Sequence, residues 1–431
     1  MYIQQEIFHS RFDFPMVVDR INTRGTHYQI GVQQGRLYYS LVGRINMTKM
    51  LRAMNFVQSA PIVGQVGKGV FNFVFDQIIT AGARKMEKKI EEILPNQYEK
   101  LTGIAEGFGL RTDKLAKALF FENFSGKMDL DTKVPRPHGC TAGIVTNHFN
   151  QGYMAKNFDF PSELEQYQII RFCDLTTKEY STVGLGEGPM PGTVSGINEK
   201  GLAITINAAY STDVNLSNPP GTMFVQEVLE TLKTTDEAVD YLMNAPMPVG
   251  WIFLILDKNN DGKIVERSAT RGAVRTMQPT ENGHFACASN NYLEPAPKDL
   301  EIPEDSEWTV KGLEGLRIIE LSNWRYIRMR ELIEEQANRR ILSTSSLREA
   351  MSDHQKPPNN LDETVCRHSQ QLYKTLSTVY INPRKMRMDV QNGNPCSNAP
   401  LQKYKVEFNY RMPNIRYLRR ESTEEIFDPL I

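Results

Sequence analysis

The chain has 431 residues, 40% apolar and 23% charged, with a formal net charge of −1. That balance belongs to a folded protein with a large core and gives no sign of nucleic acid or an anionic membrane as the main partner. The five cysteines (Cys140, Cys173, Cys287, Cys366 and Cys396) are odd in number, irregularly spaced and free of any C-x-x-C, which argues against a disulfide framework and against a zinc site. The first residues, MYIQQEIFHSRFDF, lack the basic-then-apolar order of a signal peptide. The apolar run from Pro61 to Gly82 is broken by Gly64, Gly67, Lys68, Gly69 and Asp76. It reads as a packed helix and not as a bilayer span, which needs about 20 mostly apolar residues. The expectation is therefore a cytoplasmic protein with no stable membrane insertion.

In chain order, a short alternating run at Met16-Val17-Val18 precedes Gly25 and the segment YQIGVQQGRLYYSLVGRI. There Ile30, Val32, Leu37, Leu41, Val42 and Ile45 fit a helical face imperfectly. MEKKIEEILPNQYEKLTGIAEGFGL is a clearer helix. Met86, Ile90, Ile93 and Leu94 make one stripe, Ile104 and Ala105 continue it beyond Pro95, and Gly107 and Gly109 end it. From about residue 139 short strands take over. TAGIVT and GYMAKNFDF flank a turn at Asn147 to Gly152, YQIIRFCDL and YSTVGL form a second pair, and TVSGIN and LAITIN meet across Glu199-Lys200-Gly201. Val225, Val228, Leu229 and Leu232 then carry helical spacing, and Thr234 with Glu237 predicts a capping box for a second helix. WIFLILD and KIVERSA form a hairpin across Lys258 to Gly262. Helices are predicted near 311–336 and 345–353, and strands at STVYINP, KMRMDV and KYKVEFNYRM close the chain. The order helices, strands, helices, strands predicts two sheets packed face to face with helices outside.

The most informative stretch is His138-Gly139-Cys140-Thr141-Ala142-Gly143. A cysteine there opens a strand at the break in architecture. By itself it reads as a small buried hydrophobe. Downstream, Lys156, Asn157 and Asp159 stand on the strand that returns beside it, and charges on an apolar strand are costly unless paired or used. A hairpin could bring Lys156 and Asp159 within reach of Cys140.

These residues resemble the nucleophile region of the penicillin acyltransferase (isopenicillin N acyltransferase, acyl-CoA:6-aminopenicillanic acid acyltransferase) family of cysteine N-terminal-nucleophile hydrolases, and more distantly that of the choloylglycine hydrolases. Lys156 follows Cys140 by 16 positions and Asp159 by 19, as in the family's Cys…Arg-Asn-aromatic-Asp pattern. GTHYQIGVQQGRL and LTGIAEGFGL resemble its pro-segment, and TVSGINEKGLAITIN a shared hairpin. The resemblance implies an α+β, four-layer αββα N-terminal-nucleophile sandwich. Residues 1–139 would be a mainly helical pro-segment, the small chain after autocleavage, and residues 140–431 the catalytic chain. It implies cleavage between Gly139 and Cys140, with the two chains remaining associated. It implies that Asp159 accepts a hydrogen bond from the Cys140 α-amine, that Lys156 stands where the family has arginine, and that Asn290 is an oxyanion donor. Asn207 resembles a second such donor, and its bland reading is a strand-end turn residue. Asn291 replaces the family's histidine, so Asn290 and Asn291 remain alternatives. Asn394 falls where the family has a distal arginine, and no role passes to it.

The chemistry explains why cleavage is needed. A free thiol has a pKa of about 8.5 and needs a base, whereas an N-terminal residue carries an α-amine of pKa about 7.7–8.0 that serves as one. Attack of the Cys140 thiol on the Gly139 carbonyl, then hydrolysis of the thioester, would leave fragments of 139 and 292 residues. The predicted function is hydrolysis of a linear amide or transfer of its acyl group, with a small acyl amide or acyl-CoA as substrate. No cofactor is expected, and homo-oligomerisation is left open. Two other readings compete: a non-catalytic binding protein of the same fold, and an uncut thiol hydrolase pairing Cys140 with His138 or His148. Asp257 to Ser268 starts like an EF-hand but lacks the glutamate at position twelve, so it reads as a hairpin turn. Gly184, Gly186 and Gly188 lead into a strand, which excludes a dinucleotide loop. Arg325, Arg328 and Arg330 read as a solvated helix face.

Overall fold

The computed structural model describes residues 19–39, 68–131, 139–308, 315–357, 363–368, 373–397 and 401–405. Met16, Val17, Val18, Leu41, Val42, Ile45, His138 and the end of KYKVEFNYRM lie outside the described residues. Fifteen strands fall into two sheets among these residues. The first has eight strands: β1 (Asp19–Gly25), β4 (Gln168–Leu175), β5 (Thr182–Glu187), β6 (Ser195–Asn198), β7 (Leu202–Ala208), β8 (Trp251–Asp257), β9 (Gly262–Arg267) and β10 (Gly272–Thr276), in that order. The second runs β11 (Gln278–Thr280), β12 (Gly283–Ala288), β2 (Gly139–Asn147), β3 (Gln151–Pro161), β13 (Tyr373–Asn382), β14 (Arg387–Asn392) and β15 (Gln402–Lys405). The sheets face each other through Ile144, Met154, Val379 and Ile381 on one side and Ile170, Val183, Ile252 and Leu254 on the other.

Helices cover both outer faces. α5 (Gly221–Thr231) and α6 (Thr235–Asn244) pack on the first sheet, and α8 (Ile318–Arg339) and α9 (Thr344–Met351) on the second. This is the four-layer α+β sandwich expected from the order of elements. A helix that starts at residue 27 and is described to 39 (α1), with α2 (Lys68–Ile93), α3 (Pro95–Phe108) and α4 (Thr112–Asp131), stacks beyond α5, and a short α7 (Pro295–Lys298) lies before α8. Pro95 starts α3 and Gly109 caps it in the left-handed region, at φ 74°. Met86, Ile90 and Leu94 are buried as predicted, whereas Ile93 is exposed.

The hairpins follow from local chemistry. Gly201, at φ +82°, makes the turn from β6 to β7. Thr234 caps α6 by accepting the Glu237 N–H at 3.3 Å, while the Glu237 carboxylate turns to the Lys233 N–H at 2.9 Å, so only half of the capping box forms. The 257–262 segment is the β8–β9 turn, with Asp257 accepting the Asn259 N–H at 2.8 Å.

Two features tie the N-terminal region into the sandwich. β1 pairs in parallel with β4, so the region is not purely helical. α1 and α3 also cross at backbone contact: a Cβ on Gly31 would lie 2.3 Å from the Lys100 carbonyl oxygen, and one on Gly107 would lie 2.2 Å from that of Val32. Gly35 and Gly103 repeat the fit, and side chains at these positions would force the helices apart. Behind the crossing lies a buried ion cluster. Lys100 from α3 pairs with Glu230 of α5, whose carboxylate also takes Gln97 at 2.6 Å, Gln226 at 2.7 Å and His27 at 3.2 Å. Burial opposes ionisation of Glu230, but Lys100 and His27 outweigh it and draw its pKa down to about 2.

Candidate active site

β2 and β3 form the hairpin that carries Cys140, Lys156 and Asp159. Their register places Cys140 opposite Phe158, Thr141 opposite Asn157 and Gly139 opposite Asp159. Side chains alternate across a strand, and this register divides the expected cluster in two. Cys140, Lys156 and Phe158 line an apolar cavity of about 80 Å³ together with Ile206, Met190 and Trp251. Ala118, Leu119 and Glu122 of α4 form its other wall. Asn157 and Asp159 take the opposite face of β3. There Asn157 donates to the carbonyls of Met351 and Val365 (2.9 and 2.8 Å) and accepts from Thr378 (2.7 Å). Those bonds explain its place in the motif as a brace between β3 and α9.

Lys156 stands beside Cys140 on the cavity wall and donates to the Ile206 carbonyl. Burial is the largest influence on both groups. It pushes the thiol up, opposed by the positive charge of Lys156, and it pushes the ammonium down, opposed by Cys140. Both shifts favour the neutral thiol beside a neutral amine. Burial also raises Asp159, opposed by Arg367, Arg325 and the hydroxyl of Thr375, which donates to Asp159 Oδ1 at 2.7 Å. Arg367 Nε lies 3.7 Å from Asp159 Oδ2, and a Cβ on Gly139 would meet Arg367 Nη1 at 2.4 Å. An arginine thus does reach the carboxylate, but it comes from position 367, and Asn394 instead donates to the Arg367 carbonyl.

Asn290, and not Asn291, touches Cys140. Its Oδ1 accepts the Cys140 backbone N–H at 2.9 Å and Arg325 Nη2 at 2.9 Å, while its Nδ2 donates to the Ala208 carbonyl at 2.8 Å. The amide orientation is fixed by chemistry, because two donors face the same atom and a flipped amide would meet them with a third. Asn290 therefore presents an acceptor to Cys140, where an oxyanion donor was expected. Asn291 Oδ1 takes the hydroxyls of Ser289 and Ser322, each at 2.8 Å. Asn207 donates to the carbonyls of Ala288 and Ser289 (3.3 and 3.0 Å), bridging β7 to the end of β12.

Arg325 does not lie on a solvated helix face, as its spacing predicted, but is buried. Arg325 is 2% exposed and donates to the Cys140 carbonyl at 2.7 Å as well as to Asn290. The signal available was its place on α8 four residues before Met329, a buried core position. Arg330, by contrast, does sit half in solvent beside Glu334. His148 occupies the turn at the far end of β2 and bonds Glu281, and among the described residues no histidine lines the Cys140 cavity. Cys287 borders a separate cavity of about 250 Å³ with Arg275 and Tyr326. Burial pushes its thiol up to about 12, against the opposing pull of Arg275.

Residues 146–397, more than half of the chain, match the family described as acyl-coenzyme A:6-aminopenicillanic acid acyl-transferase. Lys156, Asp159, Asn207 and Asn290 fall inside the match, and Gly139 and Cys140 lie just before it. No curated protein matches the chain in sequence. Among solved structures it is similar to the N-acylethanolamine-hydrolyzing acid amidase ortholog of Caenorhabditis elegans, at 19% identity over 57% of this chain and 93% of that one, with a TM-score of 0.39. It is also similar to a variant of conjugated bile acid hydrolase from Clostridium perfringens (15% identity, 64% and 100% covered, TM-score 0.40) and to penicillin V acylase from Agrobacterium tumefaciens (15%, 59% and 83%, 0.34). All three scores are below 0.5, and the family assignment rests on the sequence match alone.

Proposed function

The chain belongs to the acyl-coenzyme A:6-aminopenicillanic acid acyl-transferase family, and from that premise we propose that Cys140 is its nucleophile, released by cleavage of the Gly139–Cys140 peptide bond. The observation that carries this reading is the placement of the Cys140 thiol on an apolar cavity beside Lys156, with its backbone nitrogen held by Asn290. Residues up to 139 become the small chain and the rest the catalytic chain. The β1–β4 pairing, the wall that α4 gives the cavity, and the Lys100–Glu230 pair keep the two together after cleavage.

In the uncut chain Lys156, kept towards its neutral form, takes the Cys140 thiol proton. The sulfur adds to the Gly139 carbonyl carbon, the Gly139–Cys140 C–N bond breaks, and the departing nitrogen takes up a proton. Water then hydrolyses the thioester, leaving a Gly139 carboxylate and a free Cys140 α-amine. Arg325 holds the Cys140 carbonyl through these steps. In the mature enzyme the α-amine stays against Asn290 Oδ1 and serves as the thiol's base. Asp159 steadies Arg367 beside Gly139, and Asn207 braces the sheets behind the site.

The substrate is a small amide with an apolar acyl group that Phe158, Met190, Ile206 and Trp251 can enclose, and the acyl-enzyme passes that group to water or to an amine. Incubation with N-acyl amides of increasing acyl size, with and without an added amine, tests this. Acylation mapped to Cys140 is expected, and the product distinguishes hydrolysis from transfer. Acylation at Cys287, or turnover that survives Cys140→Ala, would overturn it.

A further inference from the structure

A second constellation lies behind Asp159, on the outer side of the second sheet. His354 follows α9, Cys366 and His368 stand on the segment before β13, and Cys396 follows β14. One ligand atom from each lies within 4.8 Å of every other. The two sulfurs are 3.7 Å apart, His368 Nε2 is 3.4 Å from Cys366 Sγ and 3.2 Å from Cys396 Sγ, and the two histidine Nε2 atoms are 3.0 Å apart.

We propose that Cys366, Cys396, His354 and His368 bind one structural zinc ion. A tetrahedral zinc with Zn–S bonds of about 2.3 Å and Zn–N bonds of about 2.0–2.1 Å has edges of about 3.8 Å between sulfurs, about 3.6 Å from sulfur to nitrogen and about 3.4 Å between nitrogens. The edge between the sulfurs, the two from His368 to the sulfurs and the one between the histidines stand within a few tenths of an ångström of that figure, and the two from His354 to the sulfurs are within 4.8 Å. Two thiolates and two imidazoles suit zinc in chemistry as well as shape, since no carboxylate belongs to the set and no position is left for substrate. Binding releases the two thiol protons, and two thiolates with a divalent ion leave the site neutral. The surroundings support the ligands: Asn394 Nδ2 points to Cys366 Sγ at 3.5 Å, and the Cys366 N–H is held by the Asp353 carbonyl at 3.0 Å. Asp353 is itself fixed by the two-pronged Arg328 pair at 3.1 and 2.8 Å.

The site also has a purpose in this fold. Among their described residues, the stretches between α9 and β13 and between β14 and β15 carry neither helix nor strand, and a metal would staple the two together. Between two of the ligands sits Arg367. Its N–H bonds Thr375 Oγ1 at 3.1 Å, the same hydroxyl that donates to Asp159, and its guanidinium faces Asp159 and Gly139. The ion would thus position Arg367 against the strand that carries the nucleophile. The irregular cysteine spacing, which argued against zinc in the sequence, hides the site because its ligands come from three separate segments.

The full chain, expressed without a histidine tag and gel-filtered, tests this by elemental mass spectrometry. One zinc per chain is expected, falling to background in the Cys366→Ser/Cys396→Ser variant. Replacement by cobalt(II) is expected to give the intense visible absorption of a tetrahedral thiolate site. Should the double variant fail to fold, His354→Ala leaves three ligands on an exposed position and is expected to weaken zinc by about tenfold or more, with an unchanged circular dichroism spectrum. A folded chain free of zinc, a pale octahedral cobalt spectrum, or a Cys366–Cys396 disulfide (mass lower by two hydrogens, restored by reduction) would each overturn the proposal. Metal content is read without any activity assay, so this result is independent of whether Cys140 is the nucleophile.

Discussion

The Glu230 cluster and the Cys140 pocket both bury ionisable side chains completely, yet their titrations move in opposite directions. At Glu230 the ammonium of Lys100, His27 and the amides of Gln97 and Gln226 favour the charged carboxylate, and its pKa falls to about 2 despite burial. At Cys140 burial wins: the thiol and Asp159 are pushed up, and Lys156 is pushed down. The first arrangement is what a joint between two parts of a chain requires, since a paired charge resists separation. The second leaves a thiol next to a base that can take its proton, a pattern that clusters at functional sites.

Removing a titratable side chain from the two regions should therefore do different things. Lys156→Met is expected to slow autocleavage by about 10²–10⁴-fold, the usual contribution of general acid–base catalysis, with melting temperature unchanged or raised because a buried polar amine gives way to an apolar side chain of similar length. Intact mass against time, beside a thermal melt, checks both. Glu230→Gln should reverse the pattern. Leaving Lys100 buried beside a neutral side chain is expected to cost about 3–5 kcal/mol, read by denaturant unfolding, while the chain that remains folded still cleaves. A Lys156→Met chain that melts early, or a Glu230→Gln chain that is stable but uncut, would break the distinction.

Acid should sharpen it. The folded pKa of Glu230, about 2, lies below its ordinary value of 4.5, so the folded state binds fewer protons than the unfolded one. The stability this provides is complete above pH 4.5 and is lost as pH falls towards 2, on the order of 3 kcal/mol in all. Unfolding free energy measured across that window should drop in the native chain and stay flatter in Glu230→Gln. The smallest effect concerns Gly139. A Cβ there would meet Arg367 Nη1 at 2.4 Å, so Gly139→Ala is expected to cost about 1–3 kcal/mol and to slow cleavage. Pairing it with Arg367→Ala should relieve the clash and recover the stability lost to it.

What was readable in the sequence follows the range of the forces involved. The β2–β3 hairpin, the Glu199-Lys200-Gly201 turn and the Thr234 cap are set by near neighbours, and the four-layer arrangement followed from the order of such elements. β1 was missed because DRINTRG has no apolar alternation and owes its strand form to pairing with β4, about 150 residues away. Arg325 was misread for the same reason: its spacing matches a solvated stripe, but its partners lie at Cys140 and Asn290. The split of Lys156 from Asp159 across β3 was implicit in strand alternation, whereas the acceptor role of Asn290 needed the position of the Cys140 N–H.

The most direct test of the central claim is the intact mass of the purified chain beside its Cys140→Ala variant. The account predicts fragments of 139 and 292 residues, the larger beginning at Cys140, and an uncut variant. A single uncut chain that nevertheless turns over amides, or fragments that persist in Cys140→Ala, would contradict it.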